Sequence, residues 1–186
     1  TSECDVITSV DVLKDWIDEA IRAGAVAIHT QTTSERYLNA ELVGLALCVD
    51  PSRVGYVSLQ GSNGAAALAA LAPLLSNAAV LKIGYDVKAT VVALARYGLE
   101  VQPVDDVLLI SFVLQGVTQS GSLEDVAARK LGRTLTPYKG VVGTGKSAIA
   151  FGEVPVDTAA KYMGERVECI MRLHKLLKPE LALQGV

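Results

Sequence analysis

Gly140-Val141-Val142-Gly143-Thr144-Gly145-Lys146-Ser147 satisfies the phosphate-loop pattern GxxxxGK[ST]. In a working loop of this kind, backbone N–H groups and a helix N-terminus surround the phosphates. The lysine reaches their oxygens and the serine ligates magnesium. The flanks here do not fit: residues 133–139 supply no apolar strand to enter the loop, and Phe151-Gly152-Glu153-Val154-Pro155 interrupts any helix leaving it. The segment reads as a Gly-rich surface loop with a solvated Lys146. His29, at the end of the apolar run Ala25-Val26-Ala27-Ile28, could serve as a general base if an acceptor oriented it, and Glu165 or Glu168 are the acids available. With Gln31 and a thiol it makes too sparse a set for zinc, so the plainer reading is a packed or cleft-edge histidine. Tyr162 and Arg166 are four apart, on one helix face. Arg166 is expected to pair with Asp86 or Glu35, and the Tyr162 hydroxyl to bond His29 or Gln31. Asp105, Asp106, Glu124 and Asp125 sit at helix starts, where acids suit the positive dipole end, and His174 reads as solvated.

The elements that position these residues follow from periodicity. Ser9 caps a helix whose Val10, Leu13, Trp16, Ile17, Ala20 and Ile21 recur at helical spacing, and Gly24 ends it. Residues 25–30 predict a strand, and 41–49 with 54–59 a hairpin about Asp50-Pro51-Ser52-Arg53. Gly61-Ser62-Asn63-Gly64 introduces an Ala/Leu helix to about Leu75, followed by a strand at 79–83 and a helix at 87–97. Val104 lies in a short strand before a helix at about 106–115. Ser122 and Asp125 have capping-box spacing ahead of a helix ending at Gly132. Asp157 caps a last helix that stops before Pro179, and 133–156 is a long connection. A hairpin block followed by alternating helices and a strand predicts one α/β domain with a mixed β-sheet over residues 1–186.

Composition narrows the function classes. With 51% hydrophobic and 20% charged residues the chain can build an ordinary core. Its 17 basic and 20 acidic side chains give a net charge of −3, so there is no basic excess for gripping polyanions. Aromatics at 5% disfavour a surface of base-stacking platforms. Cys4, Cys48 and Cys169 are too scattered for a disulfide framework or a zinc knuckle. The apolar run at 65–75 is too short to span a bilayer and no secretory leader is visible. A cytoplasmic protein with no membrane partner is expected, and Thr1 in place of an initiator Met suggests processing or excision from a longer chain.

The order and spacing of residues 25–34 and Leu81-Lys82-Ile83-Gly84-Tyr85-Asp86-Val87-Lys88 resemble the 3'-5' exonuclease (proofreading) domain of bacterial DNA polymerase I, family A. Residues 97–100, 106–114, 122–127, 143–147 and 162–166 extend the resemblance over about 5–178. It implies a ribonuclease H-like fold and, for an active member, two divalent metals on four acidic side chains. The family's first motif, Asp-Thr-Glu-Thr, stands here as His29-Thr30-Gln31-Thr32. The second, Asn-x-Lys-Tyr-Asp, is Asp86-Val87-Lys88-Ala89-Thr90, with Thr90 in the place of a metal-binding Asp. In the third, Tyr-x-x-x-Asp, Tyr162 is present and Arg166 stands in the Asp position. Glu35 replaces an apolar residue near where a terminal base would wedge. Similar Gly-Lys segments occur in that family without binding ATP, which accounts for the phosphate-loop pattern.

Two magnesium ions about 4 Å apart need hard carboxylate oxygens to hold them together. Imidazole, amide, hydroxyl and guanidinium are poor substitutes, and Arg166 keeps its proton at any working pH. The expectation is a degenerate site at His29, Gln31, Thr90, Tyr162 and Arg166, with Glu35, Asp86 and Glu165 nearby, and no metal or other cofactor. On this reading the chain is a catalytically inactive domain of a DNA-directed DNA polymerase, supporting the polymerase domain of the same parent chain and meeting DNA through it. Two alternatives stand beside it. One is an active 3'-5' DNA exonuclease whose Mg or Mn is recruited by Asp86, Glu35, Glu165 or Glu168. The other is a weak single-stranded nucleic-acid-binding module using Lys82, Lys88 and Arg96 with Lys139 and Lys146.

Overall fold

The computed structural model describes residues 3–33, 40–116 and 121–185. The chain opens with β1 (Cys4–Ile7), α1 (Val10–Ala23), β2 (Ala25–Thr32), β3 (Leu42–Asp50), β4 (Arg53–Ser58) and α2 (Ser62–Ser76). It continues with β5 (Leu81–Gly84), α3 (Val87–Ala95), β6 (Val104–Asp106), α4 (Val107–Gln115), α5 (Leu123–Leu131), α6 (Tyr138–Val142) and α7 (Val156–Leu183). The strands form one mixed sheet in the order β1-β4-β3-β2-β5-β6. β3 runs against both its neighbours, β4 and β2, while the other pairs are parallel. The expected mixed sheet flanked by helices is therefore what the chain builds.

Local rules account for the element ends. Ser9 Oγ accepts from Val12 N at 3.2 Å, and Gly24 stops α1 in the left-handed region at φ +76°, where a side chain would be strained. Ser122 likewise accepts from Asp125 N at 3.2 Å to start α5. The four-residue edge strand β1 escapes periodicity reading because it is too short to show alternation. Contrary to expectation, α7 begins after Pro155 and runs through Pro179 to Leu183. Proline costs the helix one N–H bond, normally made to the carbonyl four residues back, and here that residue is Lys175 on an exposed turn that water can serve. The long connection is pinned by buried Leu135, Val142, Phe151 and Val154. Lys146 lies in a short 3-10 turn, Gly145–Ser147, on an exposed segment with no entering strand, as the surface-loop reading requires.

Strand alternation divides the interior into two layers. Ala27, Ala46, Cys48, Val54 and Tyr56 face α7, α4 and α5. Val26, Ile28, Leu45, Leu47 and Val57 face the layer of α1, α2 and α3, where Trp16 is buried beneath the Arg53 guanidinium, 3.7 Å from its ring centroid. Helix α7 lies unusually close to the sheet: a Cβ at Gly164 would stand 2.6 Å from Cys4 Cβ. That approach fixes the rotation of α7 and so the directions of Tyr162 and Arg166. Among the described residues, no helix is long and apolar enough to cross a membrane.

Candidate functional site

The alternation of β2 that builds the two layers also spreads its last residues around a cleft of about 480 Å³. His29 and Gln31 continue the side of Ala27, toward α5 and α7, while Thr30 turns toward α3. The cleft is lined by His29, Thr30, Gln31, Tyr85, Thr90 and Glu124, among others. Thr90 is buried on α3 and accepts the Thr30 hydroxyl proton at 3.1 Å. The Gln31 amide donates to the Thr32 carbonyl at 3.2 Å.

Asp86 also lines the cleft, at the turn into α3, with φ +53°. The carboxylate that orders this turn is Asp106, which accepts from Asp86 N at 2.9 Å, Val87 N at 3.0 Å and, as N-cap of α4, Leu108 N at 3.0 Å. One side chain thus ties the starts of two helices together. The Tyr85 hydroxyl donates to the Gly121 carbonyl just ahead of α5.

Arg166 is 4% exposed. Its Nη2 donates to Glu124 Oε1 at 2.5 Å and to the Thr136 carbonyl at 3.1 Å, and its guanidinium lies 4.4 Å from the Tyr162 ring centroid. Its Nε is buried without a partner among the described residues. The expected partners were Asp86 and Glu35; Glu124 takes that place, because α5 brings its first turn against α7. Glu35 lies outside the described residues. Partial burial opposes ionisation of Glu124, but its backbone bond and the nearby Arg166 charge prevail and hold its pKa below the ordinary carboxylate range. Burial, with Arg166 second, pushes the pKa of His29 down to about 4, so the imidazole is neutral at physiological pH.

The remaining expected residues are engaged elsewhere. Glu165 accepts from Thr136 N at 3.2 Å and borders a separate groove with Glu3, Cys4 and Lys161. Buried Glu168 is clamped by Arg133 at 3.2 Å and Arg172 at 3.0 Å. These bonds point both acids away from orienting His29. His174 is not simply solvated: its Nε2 is 2.8 Å from Asp105, which Lys178 also holds at 2.8 Å, so Asp105 is an ion-pair partner of α7 rather than only a helix-start acid. Lys82 leaves the expected basic patch altogether. It is fully buried, donating to the Leu74 and Asn77 carbonyls at the end of α2, and burial lowers its pKa.

Among the described residues no three His, Cys, Asp or Glu side chains gather into a metal-holding group. The donors at the family's ligand positions are imidazole, amide, hydroxyl and a paired guanidinium, and these do not fit a pair of dications. Glu124 is the residue that sequence reasoning undervalued. Its position two residues past the Ser122 cap was visible, but its reach to α7 was not.

The 3'-5' exonuclease family matches residues 4–182. The DNA polymerase I of Rhizobium leguminosarum is 35% identical over 205 residues, covering 97% of this chain and 20% of that protein. That of Pseudomonas aeruginosa is 26% identical over 188 residues, covering 95% and 21%. The chain spans about a fifth of the length of the curated relatives it matches. Among solved structures, Brucella melitensis NrnC bound to pGG superposes with a TM-score of 0.72 at 17% identity, over 100% of this chain and 84% of that one. Escherichia coli RNase D, an exoribonuclease, gives 0.76 at 17% identity over 98% and 46%. A nuclease solved in its apo form gives 0.71 at 18% identity, again over 100% and 84%. These likenesses establish the ribonuclease H-like exonuclease fold. They also overturn the expectation of an inactive domain whose parent is a DNA-directed DNA polymerase, because the whole of this fold constitutes most of a nuclease chain in its own right.

Proposed function

The chain belongs to the 3'-5' exonuclease family of the family A DNA polymerases, and from that premise we propose that its cleft seats the end of a single nucleic-acid strand without a divalent-metal pair. The observation that carries this reading is a cleft of nucleotide size kept open while its former ligand wall is rebuilt. About 480 Å³ remains beside Thr30, Gln31 and Thr90, and the Arg166–Glu124 ion pair closes the wall behind it. Hydroxyl and amide groups can bond a sugar and a base edge, which requires no cation. The net charge of −3 and the loss of Lys82 from the surface make the affinity modest and salt-sensitive. The module is taken as one unit over residues 1–186.

The test is fluorescence anisotropy with a short 5'-labelled single strand carrying a 3'-hydroxyl, in EDTA and low salt. Binding in the micromolar range that weakens as salt rises supports the reading; absence of binding refutes it. Release of mononucleotides that follows the purified protein on addition of Mg²⁺ or Mn²⁺ would refute the metal-free part and favour an exonuclease with relocated ligands.

A further inference from the structure

Three features of Arg166 go beyond a stabilising ion pair. Arg166 is 4% exposed, yet the bond to Glu124 uses only Nη2, and Nε is left buried with no acceptor among the described residues. An unpaired buried N–H is costly, and a guanidinium presents Nε and Nη as a fork suited to two oxygens of one anion. Glu124 satisfies half of that fork. Its side chain is 42% exposed and lines the cleft, so in swinging out it exchanges one bond for hydration rather than for burial. Beside the pair, His29 lines the same wall.

We propose that Arg166 is a latent phosphate seat: Glu124 plugs it in the free protein, and the terminal phosphomonoester of a nucleic acid displaces Glu124 to take both Nε and Nη2. The seat rests on the proposed strand-end cleft and adds the chemical group that the cleft selects. A phosphomonoester carries close to two negative charges and three acceptor oxygens, against one charge and two oxygens for the carboxylate it displaces. No metal enters this recognition. Arg166 supplies the fixed positive charge that the family otherwise obtains from cations, and it stands at a position where the family has a carboxylate that would repel a phosphate.

The experiment compares two 5'-labelled strands of the same sequence, one ending in a 3'-hydroxyl and the other in a 3'-phosphoryl group, by anisotropy in EDTA. The phosphorylated strand should bind about tenfold more tightly. Glu124→Gln should widen that ratio severalfold by removing the competing charge, and Arg166→Met should bring it to one. Displacement of the phosphorylated strand by a 5'-phosphoryl mononucleotide would place free nucleotides among the seat's ligands; failure to displace confines it to strand ends, and both are the phosphomonoester proposed. Equal affinity for the two strands in the unaltered protein overturns the seat and leaves the cleft standing. Binding of neither strand removes both. Should Arg166→Met not fold, Glu124→Gln decides alone, since a ratio it leaves unmoved also overturns the seat.

Discussion

Lowering the pH from 7 to 5 should destabilise this protein through His29. Burial and the Arg166 charge hold the folded imidazole at about 4, against an ordinary value of 6.5. Between those values the unfolded chain takes up a proton that the folded chain refuses, so stability falls as the pH drops through 6.5 and the loss is complete below about 4. Each unit of difference corresponds to about 1.4 kcal/mol, and the two titration curves together give a loss of about 2 kcal/mol between pH 7 and pH 5 and about 3 kcal/mol by pH 4. Urea unfolding at pH 7, 6 and 5 measures this directly. The His29→Gln protein, which keeps every other ionisable side chain, supplies the reference slope. Proton NMR of the imidazole signals gives the site value independently. If both proteins lose stability equally over this range, or if the His29 resonance titrates near 6.5, the account of a desolvated imidazole beside a buried guanidinium is wrong.

Gly164→Val should lower stability by about 2 kcal/mol in urea unfolding, because its Cβ alone would meet Cys4 Cβ at 2.6 Å and α7 would have to lift from the sheet; an unchanged midpoint would contradict the close approach. Restoring all four carboxylates together, as His29→Asp, Gln31→Glu, Thr90→Asp and Arg166→Asp, should raise Mn²⁺ affinity in a calorimetric titration roughly tenfold or more over the unaltered chain. No gain in a folded quadruple variant would mean that backbone geometry, not donor chemistry, disfavours cations here.

How much could be read from residues alone varied with the range of the interaction. Helix α1 was legible at both ends because its cap, apolar stripe and terminal glycine are all local. Strand β1 was not, since four residues cannot display a period and only pairing with β4 defines it. The end of α7 misled for a related reason: proline's penalty depends on whether the orphaned carbonyl meets water, which sequence spacing does not reveal. Of the residues that motif order brings out, His29, Gln31 and Thr90 line the cleft, while Tyr162 and Arg166 on α7 are not in its lining. The partner of Arg166 was invisible, because Glu124 lies 42 residues away and reads locally as an ordinary helix-start acid. Lys82 shows the same blindness, since a lysine counted toward a surface patch serves instead as the hidden cap of α2.

Trp16 gives the molecule a convenient internal reporter. It is the sole indole in the chain, and it lies in the layer opposite to that of Tyr162, with the whole thickness of the sheet between. Its emission therefore follows disruption of the α1 layer, and Trp16 is not among the residues that line the cleft. Fluorescence of this residue and polarisation of a labelled oligonucleotide can accordingly be recorded on one sample as separate channels, one for integrity and one for occupancy.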